Sequence, residues 1–342
     1  MPVLDVQRLE KHYGTTKAVD GVSFSVEEGE IFGLIGPNGA GKTTALECCL
    51  GLRRPSAGKV RLLDMDPALN RRELFASVGA QLQETSYQEH ITVREVCQAF
   101  STLYEKPVPW RRVLERFRIA DKVGTQVAKL SGGQKQRLTI ALALIPGPRV
   151  VFLDELTTGL DPRARREMWE DVRRLKDDGV TVIMTTHYME EAEHLCDRVG
   201  IIKAGRLAAM DTVESLLDNS ALDHLVSFEV DDDGPPPAED RDARRTAGLL
   251  EELDGVAGVR RAEREGERVR LYCDSQHVLA AVVLFLEKRG VTYRNVRTSS
   301  PGLEDVFLYL TGDAYQAEAQ GSGTAPTAAP SDNAAEGQGG AS

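Results

Sequence analysis

The chain has 342 residues, 28% of them charged, and a formal net charge of −11. That length suggests two domains, or one large domain with an appendage, and it allows a sizeable core without disulfides or structural metals. The acidic balance makes the whole chain a poor general nucleic-acid binder, and five cysteines without a CxxC pair argue against a disulfide framework or a zinc site and fit a reducing cytoplasm.

The amino terminus, Met1-Pro2-Val3-Leu4-Asp5, lacks the basic-then-apolar layout of a signal peptide. Val22 to Val26 alternates at period two and predicts a strand. Ile31 to Ile35 is continuously apolar, as a strand buried on both faces is. Gly36-Pro37-Asn38-Gly39-Ala40-Gly41-Lys42-Thr43 follows and fits G-x-x-x-x-G-K-[ST] at every fixed position. Thr44 then opens a helical stretch. In such a strand–loop–helix unit, glycines let the backbone N–H groups face phosphates and the helix amino terminus adds partial positive charge. Lys42 is placed to reach the β- and γ-phosphates of a nucleotide, and the Thr43 hydroxyl to ligate Mg²⁺. A glycine-rich turn with a solvated lysine is the plainer alternative, and the flanking strand and helix weigh against it.

Further along, Leu130-Ser131-Gly132-Gly133-Gln134 precedes a helix from Gln134 to Leu144, with Ser131 suited to cap it. Val150 to Leu153 predicts a second buried strand, closed by Asp154-Glu155. A carboxylate there is costly unless paired or bound to a metal. Asp154 suits holding Mg²⁺, and Glu155 suits accepting a proton from an attacking water. Val180 to Met184 predicts a third buried strand. Strands and helices in this order predict an α/β fold with a largely parallel core sheet. Ligands then gather at the strands' carboxyl ends.

Composition shifts at Asp231-Asp232-Asp233-Gly234-Pro235-Pro236-Pro237, read as an exposed loop or linker. Around it, residues 223–312 predict strand (Val226–Val230), helix (Ala243–Leu253), strand (Val256–Glu263), strand (Arg268–Cys273), helix (His277–Arg289) and strand (Thr292–Arg297). That β-α-β-β-α-β order is ferredoxin-like. The longest apolar run, Val278 to Leu286, is far short of the roughly 20 residues that span a bilayer. Residues 313–342 have no Lys or Arg and almost no large apolar side chain, and are expected to be disordered.

The phosphate loop, the Leu130–Gln134 motif and Asp154-Glu155, in this order and spacing, resemble the ATP-binding cassette (ABC) family over about residues 3–217. The resemblance implies an ABC-type P-loop ATPase domain over residues 1–222, with a mostly parallel core sheet plus a helical subdomain, then a small α+β accessory domain over 223–312. It implies that Tyr13 stacks on adenine and that Gly36 to Thr44 bind the phosphates. Ser131, Gly132, Gly133 and Gln134 are the signature, touching nucleotide across a dimer, and Asp161 is the D-loop aspartate. Gln83 is the Q-loop glutamine, near the metal and facing the partner. Gln81 is its neighbouring rival, and the distance to Thr92-Val93-Arg94-Glu95 favours Gln83. His187 is the switch histidine near the γ-phosphate. The family usually has proline after the catalytic glutamate; here it is Leu156.

The same resemblance implies partners. One phosphate loop and one signature in the chain imply a head-to-tail dimer with itself, closed by ATP. The segment Ser299 to Gly312 resembles the ending of daunorubicin/doxorubicin-resistance type ATP-binding subunits. These pair with a separate six-helix permease, generally as exporters, at the cytoplasmic face of the membrane. Its plainer reading is an amphipathic helix with Leu303, Val306, Phe307 and Leu310 on one face. An importer subunit or a soluble regulatory ATPase ranks behind. Nucleic acid is not an expected partner.

Overall fold

The computed structural model describes residues 2–82, 87–218, 223–230, 249–266, 268–275 and 277–311. Gln83, expected as the Q-loop glutamine, and the expected tail over 313–342 lie outside them, as do residues 243–248 of the expected helix.

Six strands form the central sheet: β3 (Ile31–Ile35), β5 (Val78–Gln81), β6 (Val150–Asp154), β7 (Thr181–Thr186), β8 (Arg198–Lys203) and β9 (Arg206–Thr212), in the order β5-β6-β7-β3-β8-β9. The first five run parallel and β9 is antiparallel to β8. Their continuous apolar character has a plain cause. Phe32, Leu34, Val150, Phe152 and Ile183 point into one core. Ile31, Ile35, Val151, Leu153, Val182 and Met184 point into another. Both faces of β3, β6 and β7 are covered, so none of their positions alternates to solvent.

One cover is a three-stranded antiparallel sheet, β2-β1-β4, of β1 (Leu4–Tyr13), β2 (Thr16–Val26) and β4 (Ala57–Leu62). Of these only the Val22–Val26 part of β2 stands out in the sequence. Phe24 from this sheet stacks on Phe32 with ring centroids 5.2 Å apart. The helix after the phosphate loop, α1 (Lys42–Cys49), packs in the same layer through Ala45, Leu46, Cys48 and Cys49. A short turn of helix, α2 (Arg71–Leu74), leads into β5.

The other cover is helical: α3 (Val93–Ser101), α4 (Trp110–Arg116), α5 (Gly132–Leu144), α6 (Pro162–Asp177) and α7 (Met189–Leu195), with α8 (Val213–Asp218) after β9. Local chemistry sets the starts. Thr92 and Glu95 close a reciprocal capping box on α3, Ser131 and Gln134 do so on α5, and Asp161 caps α6 ahead of Pro162.

A separate four-stranded antiparallel sheet follows, in the order β11-β12-β10-β13, from β10 (His224–Val230), β11 (Val259–Glu265), β12 (Arg268–Cys273) and β13 (Tyr293–Ser299). Helix α9, described over residues 249–254, and α10 (Val278–Arg289) cover one face. Val226, Phe228, Leu253, Val269, Leu271, Val282 and Leu286 make its own core. Strand β11 starts at Val259, later than the expected Val256. Gly258 turns the chain with φ +91°, and a Cβ there would lie 2.5 Å from Val278 Cγ2.

The last helix, α11 (Leu303–Thr311), does not pack on that sheet. Leu303 and Phe307 join the helical-side core of the first sheet, together with Ala192 and Leu195 of α7. The Glu193 carboxylate accepts the Leu303 backbone N–H. Of the apolar face expected here, Leu303, Val306 and Phe307 are buried, whereas Leu310 is 41% exposed because the final turn projects from the core.

Candidate functional site

The loop from β3 to α1 curls back on itself. Gly41 sits at φ +102°, and an added Cβ would lie 2.1 Å from Ala18 O; at Gly36 it would lie 2.2 Å from Ile202 O. Only glycine fits either place. Lys42, 4% exposed, donates from Nζ to Gly36 O at 2.9 Å and Pro37 O at 3.1 Å. Burial pulls its pKa down, and Glu155 and Asp154 act against that. Asn38, Gly39, Ala40, Gly41, Lys42, Thr43, Thr44, Ala18 and Glu155 line a cavity of about 300 Å³.

The acidic pair lies at the carboxyl end of β6, across from α1. Thr43 Oγ1 donates to Asp154 Oδ1 at 3.3 Å, and Thr185 Oγ1 donates to the same oxygen. Asp154 Oδ2 is buried with no hydrogen-bond partner among the described residues. Burial raises the Asp154 pKa, and the Thr185 and Thr43 hydroxyls oppose the rise. The next residue turns away: Glu155 has φ +48°, and its N–H donates to Thr185 O at 3.1 Å. Glu155 Oε1 then lies 3.6 Å from Lys42 Nζ and 3.5 Å from His187 Nδ1. His187 follows β7, with its ring 4.1 Å from that of Tyr188. Leu156, in the place of the family's proline, is fully buried in the helical-side core.

Other expected site residues stand apart. Tyr13 ends β1, 43% exposed, with Lys11 Nζ 5.2 Å and the Arg53 guanidinium 5.7 Å from its ring centroid. It does not line the cavity, although Ala18 of the adjoining strand does. Ser131, Gly132, Gly133 and Gln134 form the start of α5 and contribute no lining residue. Asp161 Oδ1 accepts the Arg163 and Ala164 N–H groups at 3.0 and 2.9 Å.

Sequence reasoning misses Thr185, which bridges Asp154 and the Glu155 N–H. A threonine ending an apolar strand is its one signal. Gln81, weighed there only as a rival to Gln83, instead binds the Asp154 backbone. Glu191, fully buried on α7, carries no signal to separate it from its neighbour Glu190.

The sequence profile of the ABC transporter family matches residues 19–158. Over 318 residues the chain is 38% identical to Nod factor export ATP-binding protein I of Burkholderia thailandensis, covering 92% of this chain and 98% of that one. It is 35% identical over 318 residues to daunorubicin resistance ATP-binding protein DrrA3 of Streptomyces coeruleorubidus, covering 91% and 96%. A bacterial ABC transporter cassette solved as a dimer shares the fold with a TM-score of 0.55 and 25% identity, covering 61% of this chain and 98% of that one. With more than a third of positions identical across nine-tenths of each chain, this protein belongs to the ABC transporter ATP-binding proteins, a family of ATPases.

Proposed function

We propose that ATP is hydrolysed in the cavity under Gly36–Thr43 to drive a separate polytopic permease that works as an exporter. The observation that carries the catalytic part is the convergence of Lys42 Nζ and His187 Nδ1 on Glu155 Oε1, beside Asp154. The export part rests on relatives named for export or drug resistance that match nearly end to end. Among the described residues no helix is long and apolar enough to cross a membrane. In this reading the permease supplies the path and selects the cargo, and the chain docks on it at the cytoplasmic face. Residues 1–222 form the ATPase unit and 223–312 an accessory unit.

The parts divide the chemistry as follows. The loop N–H groups and Lys42 hold the phosphates, whose oxygens compete with Gly36 O and Pro37 O for the ammonium. Glu155 takes a proton from water, and His187 lies beside it to orient the γ-phosphate end. Thr43, Asp154 and Gln83 would hold Mg²⁺. The buried, unpartnered Asp154 Oδ2 suits a cation. Among the described residues no group of three or more His, Cys, Asp or Glu side chains is placed to hold a metal ion. So sparse a donor set suits Mg²⁺, which keeps waters and takes phosphate oxygens as ligands. When bound, the ion would neutralise charge on the phosphates. Tyr13 stacks on the base, and Ser131–Gln134 and Asp161 meet the nucleotide of a second copy.

Two substitutions test these roles. Glu155→Gln should keep ATP affinity and cut turnover by roughly 10²-fold or more. Lys42→Ala should weaken ATP binding itself. Undiminished hydrolysis in both variants would overturn the assignment. A pull-down of tagged Glu155→Gln protein with ATP from solubilised membranes should recover a polytopic permease; recovery of ribosomal or DNA-associated proteins alone would overturn the export reading.

A further inference from the structure

Strand β5 ends one residue too early for its neighbour. The parallel β5–β6 ladder pairs Val78 with Val150 and closes at Gln81 opposite Leu153. Beyond that point β5 has no backbone to offer Asp154, whose N–H and C=O face it. Both groups lie in the interior, where an unpaired peptide group costs about 1–3 kcal/mol. The Gln81 side chain fills the gap. Its Oε1 accepts the Asp154 N–H at 3.1 Å, and its Nε2 donates to Asp154 O at 3.3 Å. The same Nε2 donates to Leu82 O at 3.0 Å. A carboxamide carries the donor and acceptor of a peptide group, so Gln81 extends the ladder by one rung with a side chain. It is 3% exposed.

The consequence falls on the carboxylate. On the β7 side Asp154 is held by the Thr185 hydroxyl, and Thr43 donates to the same Oδ1. On the β5 side the only grip on its peptide among the described residues is Gln81. The direction of Oδ2, the oxygen left without a partner, is therefore set from both flanks. Gln81 also lines a second cavity of about 320 Å³ with Leu82, Tyr87, Lys135, Gln136 and Thr139. One residue thus joins the wall of that cavity to the backbone of the acidic pair.

The geometry points to Gln81 as a positioning residue for the divalent cation: its carboxamide fixes the Asp154 peptide and so aims the carboxylate that would hold Mg²⁺. The inference rests on the proposed role of Asp154. Gln81 itself touches no reacting atom. Removing such an outer partner typically weakens metal affinity by about 10–100-fold.

The test uses the full chain, a non-hydrolysable ATP analogue and Mn²⁺ as the probe, with bound Mn²⁺ read by electron paramagnetic resonance. Gln81→Met keeps the length and removes both hydrogen bonds to the Asp154 peptide, with the one to Leu82 O. It should weaken Mn²⁺ affinity about tenfold or more, with metal-free analogue affinity unchanged. Unchanged Mn²⁺ affinity, or an equal loss of metal-free analogue affinity, would overturn the positioning role. Asp154→Asn runs beside it: if that variant keeps wild-type Mn²⁺ affinity, the Asp154 reading fails and the inference falls with it. If Asp154→Asn loses affinity and Gln81→Met does not, the inference alone fails. Should Gln81→Met not fold, Gln81→Asn decides by the same two outcomes, since its amide is one methylene too short to reach both partners.

Discussion

Glu191 has no solvent exposure, and its carboxyl meets Trp169 Nε1 at 3.2 Å on one oxygen while the other has no hydrogen-bond partner among the described residues. Burial raises its pKa, and the Thr186 and Thr157 hydroxyls, the Trp169 N–H and Arg165 act against the rise. The folded value therefore lies above the unfolded value near 4.5. Stability from this group is fully present below that value and is lost as pH rises through the folded pKa. Glu191→Gln keeps an acceptor for Trp169 and removes the charge. Thermal unfolding across pH should show the variant gaining on wild type as pH rises; a variant that loses most at high pH would mean the carboxylate is held ionised. Residues of this kind mark the limit of the sequence. Lys42, Asp154 and Glu155 are legible because a strand, a glycine loop and an acidic pair force them to the carboxyl-terminal end of the parallel strands of one sheet. Gln81 and Thr185 become visible only once neighbouring strands are set in register, and Glu191 only once α7 is packed against α6.

Helix α11 gives the same lesson one level up. Its apolar spacing announces a buried face but cannot say which partner it meets. The structure answers with α7: Leu303 is 0% exposed in the core shared with Ala192 and Leu195. Leu303→Ala should cost about 2–5 kcal/mol in denaturant unfolding, whereas Leu310→Ala, on the projecting turn, should stay within about 0.5 kcal/mol. Equal costs would place α11 elsewhere. The buried strands and capped helices are legible for the opposite reason, since their signals are local. Ser131 and Gln134 cap α5 within four residues, and Ile31 to Ile35 is apolar throughout. The antiparallel β2-β1-β4 sheet is not legible, because β1 carries charged residues along much of its length and its pairing to β4 spans the whole phosphate loop.

For the whole molecule, Ser131, Gly132, Gly133 and Gln134 do not line the cavity of their own chain, so under the proposed function a complete site needs two copies. Glu155→Gln with ATP should run as a dimer in light scattering and return to a monomer once ATP is removed. A monomer under both conditions would refute the head-to-tail arrangement. The chain leaves the first core at α8, builds the four-stranded sheet, and comes back to α7 through α11. That return decides what a reporter group would see. All five native cysteines are buried, and burial pushes the Cys48 thiol up to about 11 and the Cys97 thiol to about 12. A fluorophore on Tyr309→Cys, at an exposed position of α11, would therefore label one place alone. Though late in the chain, it would ride on the helix that follows His187 and report nucleotide-driven motion there, not motion of the sheet that precedes it in sequence.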